Sequence, residues 1–147
     1  MSGNIEIPVC LPIAEESLTN VLSILESQAK NFSAIEIWCD YLRQDAFKVL
    51  ENPLLKNFKT IVLLRRKNLE SPMLDFESQK TIINLAQKNN FYLDLDITTQ
   101  KELLEYWNEL KLKPNLICSY HNYHETPSKL ELNSILACMR VTNPSIY

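Results

Sequence analysis

Short apolar runs alternate with longer segments of helical periodicity along the chain. The runs are rich in β-branched and aromatic residues, whereas the longer segments repeat apolar residues three or four positions apart. The pattern predicts strands over 5–13, 34–42, 58–64, 91–97 and 115–121. It predicts helices over about 15–31, 44–51, 75–89, 99–111 and 128–140.

The ends of the predicted helices carry capping residues. Ser128 stands three positions before Glu131, which is the spacing of a capping box. Thr98 or Thr99 is expected to be the N-cap of the helix over 99–111. Asn89 and Asn90 end another helix where a glycine would be usual, since asparagine tolerates the left-handed conformation. The strand and helix assignments therefore have local chemical support.

Five successive βα units imply parallel strands with helices packed against them. An open doubly wound sheet and part of a (β/α)8 barrel both fit this alternation. No linker, low-complexity stretch or charge block divides the sequence. We therefore expect one α/β domain over 1–147.

Composition narrows the class of protein. The 147 residues are 46% hydrophobic with a net charge of −3, as in one globular domain, and the mild acidity argues against a nucleic-acid partner. No apolar run of about 18 residues and no signal-peptide pattern occur, so neither a membrane partner nor export is expected. The expected location is the cytoplasm.

Two residue types exclude further classes. The four cysteines are widely spaced in apolar segments, which predicts reduced, buried thiols and no disulfide frame or zinc site. The single glycine, Gly3, cannot supply a GxGxxG loop or a P-loop. Nucleotide sites of both kinds are therefore disfavoured.

Polar residues interrupt the predicted strands, although strands covered on both faces should be apolar. Alternation places Glu36, Trp38 and Asp40 on one face of the second strand, and Asp94 and Asp96 on one face of the fourth. Further polar residues close the third and fifth strands, namely Arg65, Ser119 and His121.

These positions predict a shared polar pocket, because the carboxyl ends of parallel strands carry the active sites of both candidate folds. The alternatives are a sheet with one wetted face, or a structural salt bridge of Arg65 with Glu36 or Asp94. His121 is the best candidate for a general acid or base, since imidazole titrates near neutral pH. His121 and His124 have HxxH spacing, but Pro127 follows, so no metal site is predicted.

The segment SYHNYHETPS over 119–128, with IEIWCDYL and the strand ending LLRRK, resembles type I 3-dehydroquinate dehydratase of the shikimate pathway. The resemblance extends over essentially the whole chain, and the motifs occur in the family's order. It implies a (β/α)8 barrel of which this chain holds about strands 1–5. The implied reaction converts 3-dehydroquinate to 3-dehydroshikimate through a lysine Schiff base, without a cofactor.

By this resemblance His121 matches the histidine that acts as general base and acid. Glu36, Trp38 and Arg65 fall at substrate-binding positions, although the family usually has arginine where Trp38 stands. Asp94 and Asp96 match a supporting acidic pair. The family also has an acidic residue and two glycines after its third-strand arginine; here RRKNLESPM offers Glu70 as the acidic counterpart.

The family's Schiff-base lysine aligns with about the residue after Tyr147, and Lys59, Lys67 and Lys113 do not match its position. We therefore expect a truncated barrel, inactive alone, because a complete one takes roughly 250 residues. Its open edges predict aggregation or pairing with another chain, such as a complementing C-terminal segment. The resemblance also implies a homodimer. A non-catalytic remnant for binding or assembly and a flavodoxin-like domain are the alternatives.

Overall fold

The computed structural model describes residues 9–67, 69–71 and 73–146. Five strands form one sheet in which every neighbouring pair is parallel. The strands are β1 Cys10–Ile13, β2 Ala34–Trp38, β3 Thr60–Leu63, β4 Tyr92–Asp96 and β5 Asn115–Ser119. The helices are α1 Leu18–Ser27, α2 Cys39–Leu42, α3 Asp45–Glu51, α4 Phe76–Lys88, α5 Lys101–Glu109 and α6 Lys129–Thr142. Two 3-10 helices cover Ala29–Asn31 and Pro53–Asn57.

The spatial order of the strands is β1-β2-β3-β4-β5, the same as their order in the sequence. Crossovers between parallel strands are right-handed, so an order that never reverses places successive helices on the same face. This is the winding of a barrel, and it lacks the switch point of a doubly wound sheet. The flavodoxin-like alternative is therefore wrong. The barrel is not closed, because no pairing joins β1 to β5 among the described residues.

The two faces of the sheet differ in burial. Side chains that face the helices are fully buried, among them Ile35, Ile37, Val62, Leu93 and Leu95. Several alternating positions on the opposite face are half-buried, including Glu36 on β2 and Asp94 on β4. The apolar core thus lies between the sheet and the helices, and Glu36 and Asp94 lie on the face without helices.

The predicted strand over 34–42 is too long. β2 ends at Trp38, and Asp40 lies in α2 instead of continuing the strand face. The Asp40 carboxylate accepts hydrogen bonds from the backbone N–H groups of Arg65 at 2.6 Å and Leu74 at 2.8 Å. These partners are 25 and 34 residues away, so alternation within one strand cannot reveal them. Of the first predicted strand, residues 5–8 lie outside the described part of the chain.

Three of the predicted caps can be compared with the structure. Ser128 and Glu131 form the capping box of α6, and Asn90 has φ 56° after α4, so both predictions are confirmed. The N-cap prediction for α5 is wrong. Gln100 precedes that helix, while the backbone N–H groups of Thr98 and Thr99 donate to Asp96.

The cysteine prediction is correct for two of the four thiols. Cys39 and Cys118 are buried, whereas Cys10 and Cys138 are exposed. Cys10 opens the edge strand β1, and Cys138 lies on α6, a helix in which only Met139 is buried. The prediction failed there because an apolar segment on an edge strand or an outer helix is not covered by other elements of the described part of the chain.

Beyond α6 the chain returns to the edge of the sheet. The Ser145 N–H donates to the Leu116 carbonyl at 2.8 Å, and the Cys118 N–H donates to the Ile146 carbonyl at 2.9 Å. Ile146 forms a parallel bridge with Ile117. A further strand position therefore begins beside β5.

None of the helices in the described ranges is long and apolar enough to cross a membrane.

Candidate functional site

Glu36 and Asp94 lie on the helix-free face of neighbouring strands. Strand β3 pairs with both neighbours, Ile61 with Glu36 and Leu63 with Asp94. Because Ile61 and Leu63 are two residues apart and lie on the same face of β3, both carboxyl groups lie on one side of the sheet. Glu36 Oε2 accepts a hydrogen bond from Trp38 Nε1 at 2.8 Å. The sequence therefore predicted their common face correctly.

Burial raises the pKa of Glu36, although the hydrogen bond from Trp38 opposes the change. Burial also raises the pKa of Asp94, whose Oδ1 accepts a hydrogen bond from Ser119 Oγ at 2.5 Å. The positive charges of Arg66 and, when protonated, His121 lower the pKa of both carboxyl groups. The negative charge of Asp94 raises the pKa of Glu36. Two acids with raised pKa values beside these cations form the polar cluster of the site.

Asp96 holds His121 by two hydrogen bonds to one carboxylate oxygen. Asp96 Oδ2 accepts from the His121 backbone N–H at 2.8 Å and lies 3.2 Å from His121 Nδ1. The other oxygen, Oδ1, accepts from the N–H and hydroxyl of Thr98 and from the N–H of Thr99. Burial of Asp96 opposes ionisation, but these hydrogen bonds outweigh it and lower its pKa. Asp96 is therefore an anion at neutral pH.

The imidazole of His121 is placed for proton transfer. An ionised Asp96 can only accept, so Nδ1 carries the proton of their hydrogen bond and Nε2 is the nitrogen left to exchange a proton. The His121 side chain is 29% exposed, so a small molecule can reach it. His124 has no such partner among the described contacts and is exposed.

Arg65 and Arg66 occupy different surroundings. The Arg65 guanidinium lies 3.8 Å from the Tyr41 ring centroid and 5.9 Å from that of Trp38. No ion pair of Arg65 with Glu36 or Asp94 is found among the described residues, so the structural salt bridge considered from the sequence is wrong. The positive charge that acts on both carboxyl groups belongs to Arg66.

Arg66 and Glu70 form a buried ion pair that was not predicted from the sequence. Arg66 N-η1 lies 2.7 Å from Glu70 Oε1, and the Arg66 backbone N–H donates to Glu70 Oε2 at 3.0 Å. Tyr123, from the loop after His121, donates its hydroxyl proton to Glu70 at 2.7 Å. Burial of Glu70 raises its pKa, but these hydrogen bonds and the charge of Arg66 lower it overall. The four-residue spacing of Arg66 and Glu70 was the signal available in the sequence.

Comparison with known proteins decides the family. A family model described as type I 3-dehydroquinase matches residues 9–147. The chain belongs to the type I 3-dehydroquinase family. The 3-dehydroquinate dehydratase of Coxiella burnetii is 28% identical over 144 residues, covering 95% of this chain and 59% of that protein. The Methanocaldococcus jannaschii enzyme of the same name is 25% identical over 134 residues, covering 87% of this chain and 59% of that protein.

Solved structures show the same fold. The type I 3-dehydroquinate dehydratase of Clostridium difficile superimposes with a TM-score of 0.73 at 16% identity, covering 93% of this chain and 60% of that one. The 3-dehydroquinate dehydratase of Enterococcus faecalis gives a TM-score of 0.64, also at 16% identity, with 93% and 63% coverage. This chain thus spans about 60% of the length of these relatives.

Two further kinds of side chain bear on the candidate site, possible metal ligands and lysines. Within residues 9–67, 69–71 and 73–146, no group of three or more His, Cys, Asp or Glu side chains is arranged to hold a metal ion. Of the lysines considered from the sequence, Lys59 lies over the Tyr92 ring and Lys113 over the Trp107 ring. Lys67 lines a separate cavity beside Arg65. None of these three contacts His121.

Proposed function

We propose that this chain provides the proton-transfer part of a 3-dehydroquinate dehydratase site. The observation that carries the proposal is the Asp96–His121 pair, positioned beside a cluster of acids and a buried arginine on the open face of the sheet. Family membership supplies the substrate class. The reaction removes water from 3-dehydroquinate to give 3-dehydroshikimate.

His121 is the proposed general base and acid. A lysine amine condenses with the substrate ketone and releases water, and the resulting protonated imine acidifies the neighbouring C–H group. Nε2 of His121 takes that proton, because Nδ1 is engaged with Asp96. The protonated imidazole then returns a proton to the departing hydroxyl group, so that water leaves and the carbon–carbon double bond forms. Water finally hydrolyses the imine, which restores the ketone and frees the lysine amine.

The acids and the arginine are the proposed substrate-binding groups. Glu36 and Asp94 can hydrogen-bond substrate hydroxyl groups, and Arg66 can pair with the substrate carboxylate. Arg66 replaces Arg65 in this proposal, because its charge reaches Glu36 and Asp94. Glu70 and Tyr123 hold Arg66 in place.

The proposed Schiff-base lysine comes from outside these 147 residues. Lys59, Lys67 and Lys113 all have other surroundings. The proposed partner is a complementing C-terminal segment that continues the sheet beside β5, where Ile146 already pairs. The exposed apolar residues of α6 offer such a segment a surface; they include Leu130, Leu132, Leu136 and Val141. A cytoplasmic location stays a prediction of the sequence.

A binding or assembly role without catalysis is the second candidate. Trp38 is the observation that favours it, because its indole N–H already occupies Glu36 Oε2. A substrate hydroxyl group would have to share or displace that hydrogen bond. The two candidates differ in whether the site can turn over at all.

The experiment combines the chain with the missing part of the fold. The 147-residue chain is purified alone and also co-expressed with the remaining 40% or so of the Coxiella burnetii relative, which is to supply the proposed lysine. Each sample is given 3-dehydroquinate, and product formation and borohydride-trapped adducts are measured. We expect no turnover alone, and turnover with a trapped adduct on the supplied lysine in the complex.

Matched histidine variants test the proposed mechanism in that complex. His121→Ala should lower kcat by about 100-fold or more, the usual contribution of a general base. His124→Ala, three residues away and exposed, should leave kcat within about two-fold. Turnover or a trapped adduct in the isolated chain would contradict the proposal that the Schiff-base lysine comes from outside these 147 residues. A complex that forms but never turns over would favour the binding role, and a stable dimer of the chain would show self-pairing.

A further inference from the structure

A cavity adjoins the loop whose backbone binds Asp96, but His121 does not line it. It has a volume of about 310 Å³ and opens between the connection from β3 to α4 and the first turn of α5. Neither Glu36, Asp94 nor His121 lines it. The cavity is therefore a separate feature that the proposed dehydratase chemistry leaves unused.

Unpaired buried donors gather at this cavity. Among the described residues, four buried side-chain nitrogen or oxygen atoms lack a hydrogen-bond partner, and Arg65 Nε, Gln79 Nε2 and Thr99 Oγ1 are three of them. All three residues line the cavity. Gln79 is only 4% exposed and Arg65 only 5%. A buried donor without a partner destabilises the fold, so three of them around one cavity favour a ligand that accepts hydrogen bonds.

The charge of the lining is positive. The cavity is lined by three cations and one carboxylate, namely Arg65, Lys67, Lys101 and Glu102. Arg65 has no carboxylate within ion-pair distance in the described ranges. The charge of Arg65 lowers the pKa of Asp40, but the Asp40 carboxylate accepts its hydrogen bond from the Arg65 backbone N–H and not from the guanidinium. An anion in the cavity would complete the pairing of the buried guanidinium.

The N-terminus of α5 adds to this field. The first three residues of the helix line the cavity, and the N-cap residue Gln100 makes no capping hydrogen bond. Its side chain instead donates to the Leu64 and Arg65 carbonyls and accepts from the Asp96 N–H. The dipole of α5 is thus directed at the cavity without a capping side chain in between, which favours an anionic ligand.

We propose that this cavity binds a small phosphate ester with an apolar group. The phosphate takes the hydrogen bonds of Arg65 and Gln79 at the start of α5, since guanidinium groups and helix N-termini both suit phosphate. The apolar group lies against Met73 and Phe76, which line the same cavity and are 41% and 40% exposed. Occupation of the cavity requires no Schiff-base lysine and no turnover, so it stands independently of the dehydratase proposal.

Phenyl phosphate is a suitable probe, with phenol as the uncharged control. Each is titrated into the 147-residue chain by isothermal titration calorimetry. Saturable binding of phenyl phosphate with no binding of phenol is expected. Failure of phenyl phosphate to saturate below about 10 mM, or equal binding of phenol, would overturn the proposal.

Two variants locate the binding to this cavity. Lys101→Glu reverses an exposed charge at the start of α5 and should weaken the binding of phenyl phosphate by about ten-fold. Lys111→Glu makes the same change in an exposed residue beyond the other end of α5 and should leave the affinity within about two-fold. Gln79→Leu removes the buried donor and should also weaken binding several-fold. If Lys101→Glu binds as tightly as Lys111→Glu, the site is elsewhere and the proposal is wrong, even if Gln79→Leu fails to fold.

Discussion

Asp96 accepts both the backbone N–H and the Nδ1 side of His121 on one carboxylate oxygen. The backbone contact fixes the position of the residue, and the ring contact fixes the orientation of the imidazole. A single acid at the end of β4 therefore determines both where His121 lies and which nitrogen it presents to the open face.

Asp96→Asn should test this double role. The amide has one acceptor oxygen in place of two, so hydrogen bonds from His121, Thr98 or Thr99 are lost and an amide donor is left facing them. We expect a loss of about 1–3 kcal/mol in the free energy of unfolding, measured by urea titration at pH 7. The lowered pKa of Asp96 means that its ionised form stabilises the fold above the unfolded pKa and loses this effect in strong acid.

The stability difference between wild type and Asp96→Asn should therefore shrink as the pH falls through the range in which Asp96 is protonated. Nitrogen-15 NMR of the imidazole gives an independent readout, with Nδ1 protonated in the wild type. An unchanged tautomer and unchanged stability in Asp96→Asn would contradict the role assigned to this carboxylate.

Glu70→Gln removes the partner of a buried arginine. The side chains of Arg66 and Glu70 are only 4% and 10% exposed, so the variant leaves a guanidinium charge without compensation. A loss of about 3–5 kcal/mol is expected, as for other buried ion pairs broken at one partner. Thermal and urea unfolding followed by circular dichroism measure it.

Glu77→Gln is the matched control for Glu70→Gln. Its ion pair with Lys80 joins residues three apart, but the Glu77 side chain is 79% exposed. Loss of that pair should change stability by less than about 0.5 kcal/mol. Equal losses in the two variants would show that burial of the Arg66 pair has no energetic effect.

Asp94→Asn should increase stability in a pH-dependent way. Burial raises the pKa of Asp94, so folding favours its protonated form, and the ionised form at pH 7 is destabilising. This cost is present above the folded pKa and vanishes as the pH falls below the unfolded value of about 3.9. The amide can still accept from Ser119.

The melting temperature of Asp94→Asn should therefore exceed that of the wild type at pH 7 and approach it near pH 3. Asp45→Asn is the control of opposite sign, because a hydrogen bond from Lys48 and the Leu18 N–H lower the pKa of Asp45. Its melting temperature should fall at pH 7. The same direction of change in both variants would contradict the assigned pKa shifts.

Arg43→Gly should stabilise the turn between α2 and α3. Arg43 has φ 52° and ψ −124°, a conformation that glycine adopts without a steric penalty. The side chain is exposed and makes no ion pair among the described residues. Relief of the strain should give about 1 kcal/mol in urea titration, whereas Arg43→Ala, which keeps a Cβ, should give no gain.

The sequence predicted the parallel sheet because its signal is local and repeated. Alternation within β2 and β4 correctly placed Glu36 with Trp38 on one face and Asp94 on the matching face. The family motif located His121 at the end of β5. Each of these inferences depends on a regular backbone, in which side chains alternate from one residue to the next.

The predictions failed where the backbone stops being regular. β3 ends at Leu63, so alternation does not decide which of Arg65 and Arg66 faces the acids, and substrate binding by Arg65 stays a prediction. Asp40 misled the prediction in the same way, because its partners come from a distant loop. The pairing of Glu70 with Tyr123 likewise joins residues 53 positions apart.

The attachment of α6 has a consequence for how the molecule opens. Its capping box and the bridge of Ile146 to β5 hold the two ends, while Met139 is its single buried residue. Unfolding this helix therefore exposes little apolar surface, whereas unfolding β2 to β4 disrupts the core. Amide hydrogens of α6 should exchange through a local opening of low free energy, and those of the central strands through global unfolding. The last helix is thus a separate cooperative unit that can open while the sheet stays folded.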